Sequence, residues 1–168
     1  MNSNRSIILT GTAIESYTAT VTLRAGAFHH DGIDISIAVK LLEYEIKFET
    51  FFYGYNIDLF LREGKEVIAS RAVRAHLINW EQGLLLEFIC QSNQIFLSLN
   101  YESVLPQPPA DNLLGILRAE SRLDSTRTIG SRFSLSFMRL HNPLSEITDW
   151  LARVLDDHAV SRENPYPH

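Results

Sequence analysis

The sequence predicts a single α+β domain dominated by antiparallel strands, forming a curved sheet or a two-layer sandwich, with one inserted helix and one C-terminal helix. Three observations lead to this class. Apolar and polar residues alternate along much of the chain, as in strands with one buried face. The breaks between these runs are two or three residues long, which suits antiparallel hairpins and is too short for parallel crossovers. Two segments instead have apolar residues at helical spacing.

Length and composition set the class of protein. A chain of 168 residues, 45% hydrophobic and 21% charged, has the size and balance of one globular domain. We expect residues 1–158 to form that domain and 159–168 a flexible tail. The net charge of -5 disfavours general nucleic-acid binding, because the phosphate backbone selects for excess Lys and Arg.

The sequence also predicts where the protein works. No apolar run approaches the roughly 20 residues that span a bilayer, and the N-terminus has no signal-type segment. Cys90 is the single cysteine, so an intrachain disulfide is impossible. We therefore expect a cytoplasmic protein that does not associate with a membrane, and we expect Cys90 to be a buried structural thiol.

The first strands of the predicted sheet include a hairpin. Ser6–Thr12 is the first strand, and the alternation that begins near Tyr17 predicts a second strand that continues to His30. Asp31-Gly32 is a strong two-residue hairpin signal, and a third strand follows it. The third strand has buried positions at every second residue: Ile33, Ile35, Ile37 and Val39.

The hairpin register requires a correction near Gly26. An uninterrupted ladder pairs His30 with Ile33, His29 with Asp34 and Phe28 with Ile35, but further along it places the apolar residues on the wrong face. A β-bulge within Arg24 to Ala27 restores the pattern. It predicts that Leu23 faces Val39 and Val21 faces Leu41.

A fourth strand and the inserted helix come next. Tyr44, Ile46 and Phe48 alternate with charged residues, which predicts a strand with a charged solvent face. Asn56 is a candidate N-cap of a helix that runs to about Ser70, although Gly64 is unfavourable inside a helix.

Three strands in the middle of the chain predict a β-meander between Arg74 and Ser103. Short polar breaks at residues 81–83 and 92–94 separate them. Apolar residues also occur on the second face of these strands, which predicts that another layer covers it. These residues are Leu85, Ile89 and Phe96.

The end of the chain predicts two strands and a helix. The strands run from Gly115 to Leu123 and from Arg132 to Leu140. Asn142 is the expected cap of the helix and Pro143 its first residue. The apolar stripe of this helix contains Leu144, Ile147, Leu151, Val154 and Leu155, with Trp150 alongside.

No catalytic or metal-binding motif is present, so we assign no catalytic residue, metal ligand or cofactor. The most chemical-looking group is His29-His30-Asp31 with Asp34 opposite His29, an arrangement that can orient an imidazole. Neighbouring residues on a strand point to opposite faces, so His29 and His30 cannot both join one site on a regular strand.

The candidate partner-binding residues lie in and after the fourth strand. Glu43, Glu45 and Glu49 form an acidic row that is suited to a basic partner. Tyr53 and Tyr55 are interface anchors if they are exposed, because tyrosine rings bring large contact area at little entropic cost. We therefore expect a protein partner, and the sequence leaves its identity and the oligomeric state open.

The layout resembles small bacterial toxin-immunity proteins of the wall-associated toxin immunity type. The resemblance lies in the meander from Ala75 to Tyr101 and in RFSLSFMRLHNPLSEITDWLARVLDD, residues 132 to 157, within an order of elements that covers about two-thirds of the chain. It implies a cytoplasmic, non-catalytic protein that blocks a cognate toxin by binding it, often through an acidic surface that covers a basic nucleic-acid-processing site.

Two alternatives stay open. In a ligand-binding β-barrel or sandwich, Leu85, Ile89 and Phe96 line a cavity rather than meet a second layer. In an enzyme, His29 and Asp34 form the working pair.

Overall fold

The computed structural model describes residues 5–12, 17–79, 84–90, 94–100, 130–136 and 141–165. It confirms the predicted α+β fold, with an inserted helix and a C-terminal helix on antiparallel strands. The predicted strand at 115–123 lies outside the described residues. The described elements are β1 (Ser6–Thr12), β2 (Thr18–Phe28), β3 (Gly32–Leu41), β4 (Tyr44–Tyr53), α1 (Gly54–Ile68), β5 (Arg74–Asn79), β6 (Leu84–Ile89), β7 (Gln94–Asn100), β8 (Gly130–Ser136) and α2 (His141–Asp157).

The strands form two antiparallel meanders that join in one sheet of order β4-β3-β2-β1-β8-β7-β6-β5. One meander is β1 to β4 and the other is β5 to β8. Most neighbouring strands are joined by short connections, as expected for hairpins, whereas residues 101–129 separate β7 from β8. Within the described residues, the two meanders are joined at one pair, Thr12 with Ser136. Each meander precedes a helix, so the described elements follow the order strand, strand, strand, strand, helix twice.

The two ends of the sheet come together through a buried side chain. Asn79, at the end of β5, is 6% exposed. Its amide Nδ2 donates to Thr50 Oγ1 on β4 at 3.0 Å and to the carbonyl oxygen of Phe51. The curvature of the sheet therefore places its first edge beside its last, and Asn79 joins them.

Helix α1 covers the outer edge of β5. The Asn56 side chain donates to the carbonyl oxygen of Ile78 at 2.7 Å, and the Glu63 carboxylate accepts from the backbone N–H of His76 at 2.7 Å. Edge strands carry backbone groups that invite pairing with other chains. Here polar side chains of the helix take the place of a neighbouring strand.

The core lies between the strands and both helices. Alternate residues of β2 and β3 are buried, and Phe60 of α1 contacts Phe88 of β6 with ring centroids 5.4 Å apart. Gly64 has a packing role, because a Cβ there would lie 2.7 Å from Thr148 Cγ2 on α2. A side chain at this position would push the helices apart. Among the described helices, none is long and apolar enough to cross a membrane.

The predicted bulge in β2 is confirmed, whereas the predicted pairing is wrong by two residues. The register shifts between Ala25 and Phe28, and Leu23 faces Ile37 rather than Val39. The turn is displaced by one residue from Asp31-Gly32, because the N–H of His29 donates to the carbonyl oxygen of Gly32 at 2.8 Å and leaves His30 and Asp31 as the two-residue loop. A shift of two residues preserves the buried face, so alternation alone cannot detect it.

The predicted cap of α1 is also wrong. The helix begins at Gly54, without a side-chain cap, and Asn56 bonds across to β5 instead. The N–H of Gly54 donates to the carbonyl oxygen of Asp31 at 2.9 Å, so the β2–β3 turn satisfies this backbone group. Helix α2 begins at His141, one residue before the predicted cap Asn142. Its predicted apolar stripe is buried.

The chain after α2 contacts the β2–β3 turn. Val160 is 5% exposed, and the N–H of Ser161 donates to the carbonyl oxygen of His30 at 2.7 Å. Arg162 pairs with Asp58 of α1 at 3.1 Å and also with Asp156. The flexibility of residues 159–168 stays a prediction.

Replacing Ser70 with glycine is expected to stabilise the fold. Ser70 has φ 59° in the turn that ends α1, where Arg71 N–H bonds Glu66 O and Ser70 N–H bonds Val67 O. This is a Schellman motif, whose left-handed position favours glycine. We expect Ser70→Gly to raise the free energy of unfolding by about 0.5–1 kcal/mol, measured by urea denaturation. Ser70→Ala is the control, and equal stability of the two variants would contradict the explanation.

Removing the Asn79 amide is expected to destabilise the closure of the sheet. Asn79→Ala deprives Thr50 Oγ1 and Phe51 O of a buried donor, which costs about 1–3 kcal/mol. Thr50→Val removes one of these contacts at similar volume and is expected to cost less. Thermal melting of both variants checks the order. An Asn79→Ala variant as stable as the parent protein would show that the sheet closes without this contact.

Candidate functional site

The outward-facing side of β4 carries most of the candidate partner-binding residues. Thr50 and Phe52 face the core, with 4% and 1% exposure, and side chains alternate along a strand. The odd-numbered residues therefore share the opposite side. We call this set the β4 outer face: Glu45, Lys47, Glu49, Phe51 and Tyr53.

Two of the predicted residues lie off the strand. Glu43 is exposed in the turn between β3 and β4, next to Leu42, which is 49% exposed. Tyr55 is half-buried in the first turn of α1. A strand rises about 3.3 Å per residue, so Glu43 and Tyr53 are roughly 30 Å apart. The predicted set is therefore a long strip rather than one compact site.

Charge alternates along this strip. Lys47 Nζ lies 2.9 Å from Glu45 Oε2, and Lys40 is the cross-strand neighbour of Glu45. Glu49 instead accepts a hydrogen bond of 3.4 Å from the Ser36 hydroxyl. Ion pairs this exposed contribute little to stability. The outer face therefore presents an acidic, basic, acidic pattern, in which Lys47 interrupts the acidic row.

The aromatic end of the strip is rigidly packed. The Phe51 ring stands edge-on to Tyr53 at 5.0 Å and to His29 at 5.6 Å, measured between ring centroids. It lies over Gly32 of β3, where an added Cβ would collide with the ring. The missing side chain of Gly32 creates the space for the ring. Half-buried aromatics held in this way are typical anchors of protein interfaces.

The predicted pair of His29 and Asp34 is present despite the shifted register. His29 Nε2 lies 3.1 Å from Asp34 Oδ2, with the two side chains 48% and 45% exposed. His30 is exposed and contributes its backbone carbonyl to Ser161, so the two histidines do not join in one cluster. Within the described residues, no group of three His, Cys, Asp or Glu is arranged to hold a metal ion.

A second histidine cluster was missed by the sequence reasoning. His76 on β5 places Nδ1 3.2 Å from Glu63 of α1 and Nε2 3.3 Å from Glu87 of β6. Arg74 lies 3.6 Å from the same Glu87 oxygen, and Glu87 is 7% exposed. The carboxylates face opposite sides of the ring, so they do not converge on a metal position. The contacts instead tie the helix to two strands.

A recognisable signal marked this cluster. Glu87 is the one charged residue in the β6 sequence LLLEFI, and a charge in an apolar strand requires a partner. Its partners come from other elements, so the sequence could indicate the need without naming them.

The residues proposed to line a ligand cavity are only partly described. Ile89 is partly exposed, and the side chains of Leu85 and Phe96 lie outside the described residues. The cavity therefore stays a prediction. Cys90 is a partly buried thiol that packs against the core.

Replacing Gly32 with alanine is expected to disrupt the aromatic end of β4. The added methyl would meet both the Phe51 ring and the carbonyl oxygen of Phe52, and the backbone atom cannot swing away. We expect a loss of about 1–3 kcal/mol, measured by thermal or urea unfolding. The control is Gly26→Ala, where the nearest atom, Asp34 O, lies 3.2 Å from the added Cβ. A Gly26→Ala loss equal to or larger than the Gly32→Ala loss would contradict this packing.

The chain was compared with protein families, curated proteins and solved structures. No protein-family model, no curated protein and no solved structure matches this chain.

Proposed function

We propose that this chain is a non-catalytic protein-binding module of the toxin-immunity kind, which works in the bacterial cytoplasm and neutralises a basic toxin domain by binding it directly. The observation that carries the proposal is the β4 outer face. It combines two aromatic side chains in edge-on contact with exposed carboxylates at Glu45 and Glu49 on one strand. The turn residue Glu43 extends the acidic part.

The aromatic end supplies the anchor of the proposed interface. Phe51 and Tyr53 are held in place by their contact with each other, and Phe51 also by the ring of His29 and the space over Gly32. Their side-chain rotamers are therefore ordered before binding. A partner that buries them loses little additional entropy, which is the condition for an interface hot spot.

The carboxylates supply attraction to a basic partner. The chain has a net charge of -5, and Glu43 and Glu49 are exposed without a basic group paired to them in the described structure. Exposed charges of one sign accelerate encounter with a partner of the other sign, and salt weakens the effect. A toxin that processes nucleic acid carries the basic surface that such a face would cover.

The enzyme alternative has weaker support. Water reaches both members of the His29–Asp34 pair, which are nearly half exposed at the end of a hairpin. His76 has carboxylates on both ring nitrogens, so neither nitrogen is open to a substrate. The β4 outer face offers a larger and better ordered surface than either histidine.

The test begins with capture of partners by the tagged protein from a lysate of its own cells, followed by measurement of binding kinetics. We expect one stoichiometric basic protein. Combined reversal of Glu43, Glu45 and Glu49 to lysine should slow its association by about tenfold or more at low salt. Tyr53→Ala should instead accelerate dissociation, because the anchor acts after encounter.

The matched control reverses three exposed carboxylates on α2: Glu146, Asp149 and Asp157. It changes the net charge equally and leaves the β4 outer face intact. If association slows equally with both triple variants, then Glu43, Glu45 and Glu49 act only through the net charge of the protein and are not contact residues. Failure of the unaltered protein to retain any basic protein would contradict the proposed function.

A further inference from the structure

Strand β4 lies at the end of the sheet and pairs with β3 along its whole length. In the part of the chain that the structure describes, no other strand pairs with it. Its last residues are covered, because Asn79 of β5 bonds Thr50 and Phe51 and because α1 follows directly. The stretch from Tyr44 to Glu49 has no such cover among the described residues.

The direction of the backbone groups in this stretch follows from Phe51. Its carbonyl oxygen accepts from Asn79 of β5 and therefore points away from β3. In an antiparallel ladder, successive residues direct their N–H and C=O groups to opposite edges. Glu45, Lys47 and Glu49 therefore direct theirs away from β3 as well. We call these three residues the open edge, because no strand in the described part of the chain pairs with them on that side.

At the opposite end of the sheet, the outward backbone groups of β5 are bonded by side chains of α1. On β5, Glu63 and Asn56 bond the outward N–H of His76 and the outward C=O of Ile78. Open edges favour pairing with another strand, and a lysine in the middle of an edge is a common guard against unwanted pairing. Lys47 occupies the middle of the open edge, so selective pairing requires a partner that compensates its charge.

We infer that the open edge of β4 binds an extended segment of the partner by strand addition, and that the segment carries basic, acidic and basic residues at alternate positions. The acidic position faces Lys47, and the basic positions face Glu45 and Glu49. Added strands gain affinity from main-chain hydrogen bonds and specificity from alternate side chains. This inference rests on the proposed function and defines the chemistry of its partner.

A second copy of this chain fits the open edge poorly. Antiparallel pairing centred on Lys47 would place Lys47 opposite itself and Glu45 opposite Glu49 of the other copy, so all pairs would have like charges, which destabilises a sheet. A shift that aligns Lys47 with Glu49 brings Glu45 against Phe51, and the opposite shift, which aligns Lys47 with Glu45, brings Glu49 against the like-charged Glu43 in the turn. The outward carbonyl of Phe51 is already bonded to Asn79.

The probe for the experiment is a synthetic peptide in which valines separate Lys, Glu and Lys. A matched peptide carries Glu, Lys and Glu instead. Both charge patterns are the same in either direction along the peptide, so the test does not depend on whether the peptide adds parallel or antiparallel to β4. We expect it to bind at least about tenfold more tightly than the matched peptide. It should also slow amide exchange at Glu45, Lys47 and Glu49, measured by NMR.

Two variants separate backbone pairing from charge. Lys47→Pro removes an outward N–H and leaves the ladder to β3 intact, so the fold should persist while peptide binding is lost. Lys47→Ala keeps the N–H and should retain binding. The combined variant Glu45→Lys, Lys47→Glu and Glu49→Lys should prefer the matched peptide, and it keeps the test decisive if the proline variant does not fold.

Equal binding of both peptides, or binding by a folded Lys47→Pro variant, would overturn the inference. So would a concentration-dependent dimer of the unaltered protein that Lys47→Pro abolishes, because the occupant would then be a second copy. A natural partner that Lys47→Pro retains and Tyr53→Ala loses would overturn strand addition alone. Selective peptide binding without any captured partner would instead contradict only the proposed function.

Discussion

The need to cover the edges of the sheet determines the arrangement of this molecule. Two four-stranded meanders leave β4 and β5 as outer strands, whose unpaired backbone groups are costly when buried. Side chains of α1 bond such groups on β5, and Asn79 donates to the backbone carbonyl of Phe51 at the end of β4. The position of α1 then determines where α2 packs, through the close approach at Gly64.

The same closure separates β4 into two parts with different roles. Its second half is bonded to β5, and there the ring of Phe51 lies over Gly32 beside Tyr53. Its first half carries alternating charges along the open edge, where none of the described strands lies beside it. A rigid anchor beside an accessible edge is the arrangement on which both proposals depend. The contacts of His76 with Glu63 and Glu87 hold α1 against β5 and β6.

Several features were predictable because they depend on neighbouring residues. The bulge near Gly26, the Asn142-Pro143 region of α2 and the exposed carboxylates of β4 follow from alternation and local propensity. The His29–Asp34 contact was anticipated from an incorrect register, because side chains at a hairpin end reach across a shift of two residues. The predicted cap at Asn56 is wrong because the side-chain amide of Asn56 donates to a backbone carbonyl of β5 instead.

The sequence by itself determined the class of fold, the order of the elements and the faces that are buried, because period-two and helical patterns record which side of each segment avoids water. Only the tertiary structure decided that β4 and β5 meet, that Phe51 lies over Gly32 and that Glu63 and Glu87 share His76. These contacts join residues from separate elements. Their geometry depends on sheet curvature and helix docking, which no local pattern encodes.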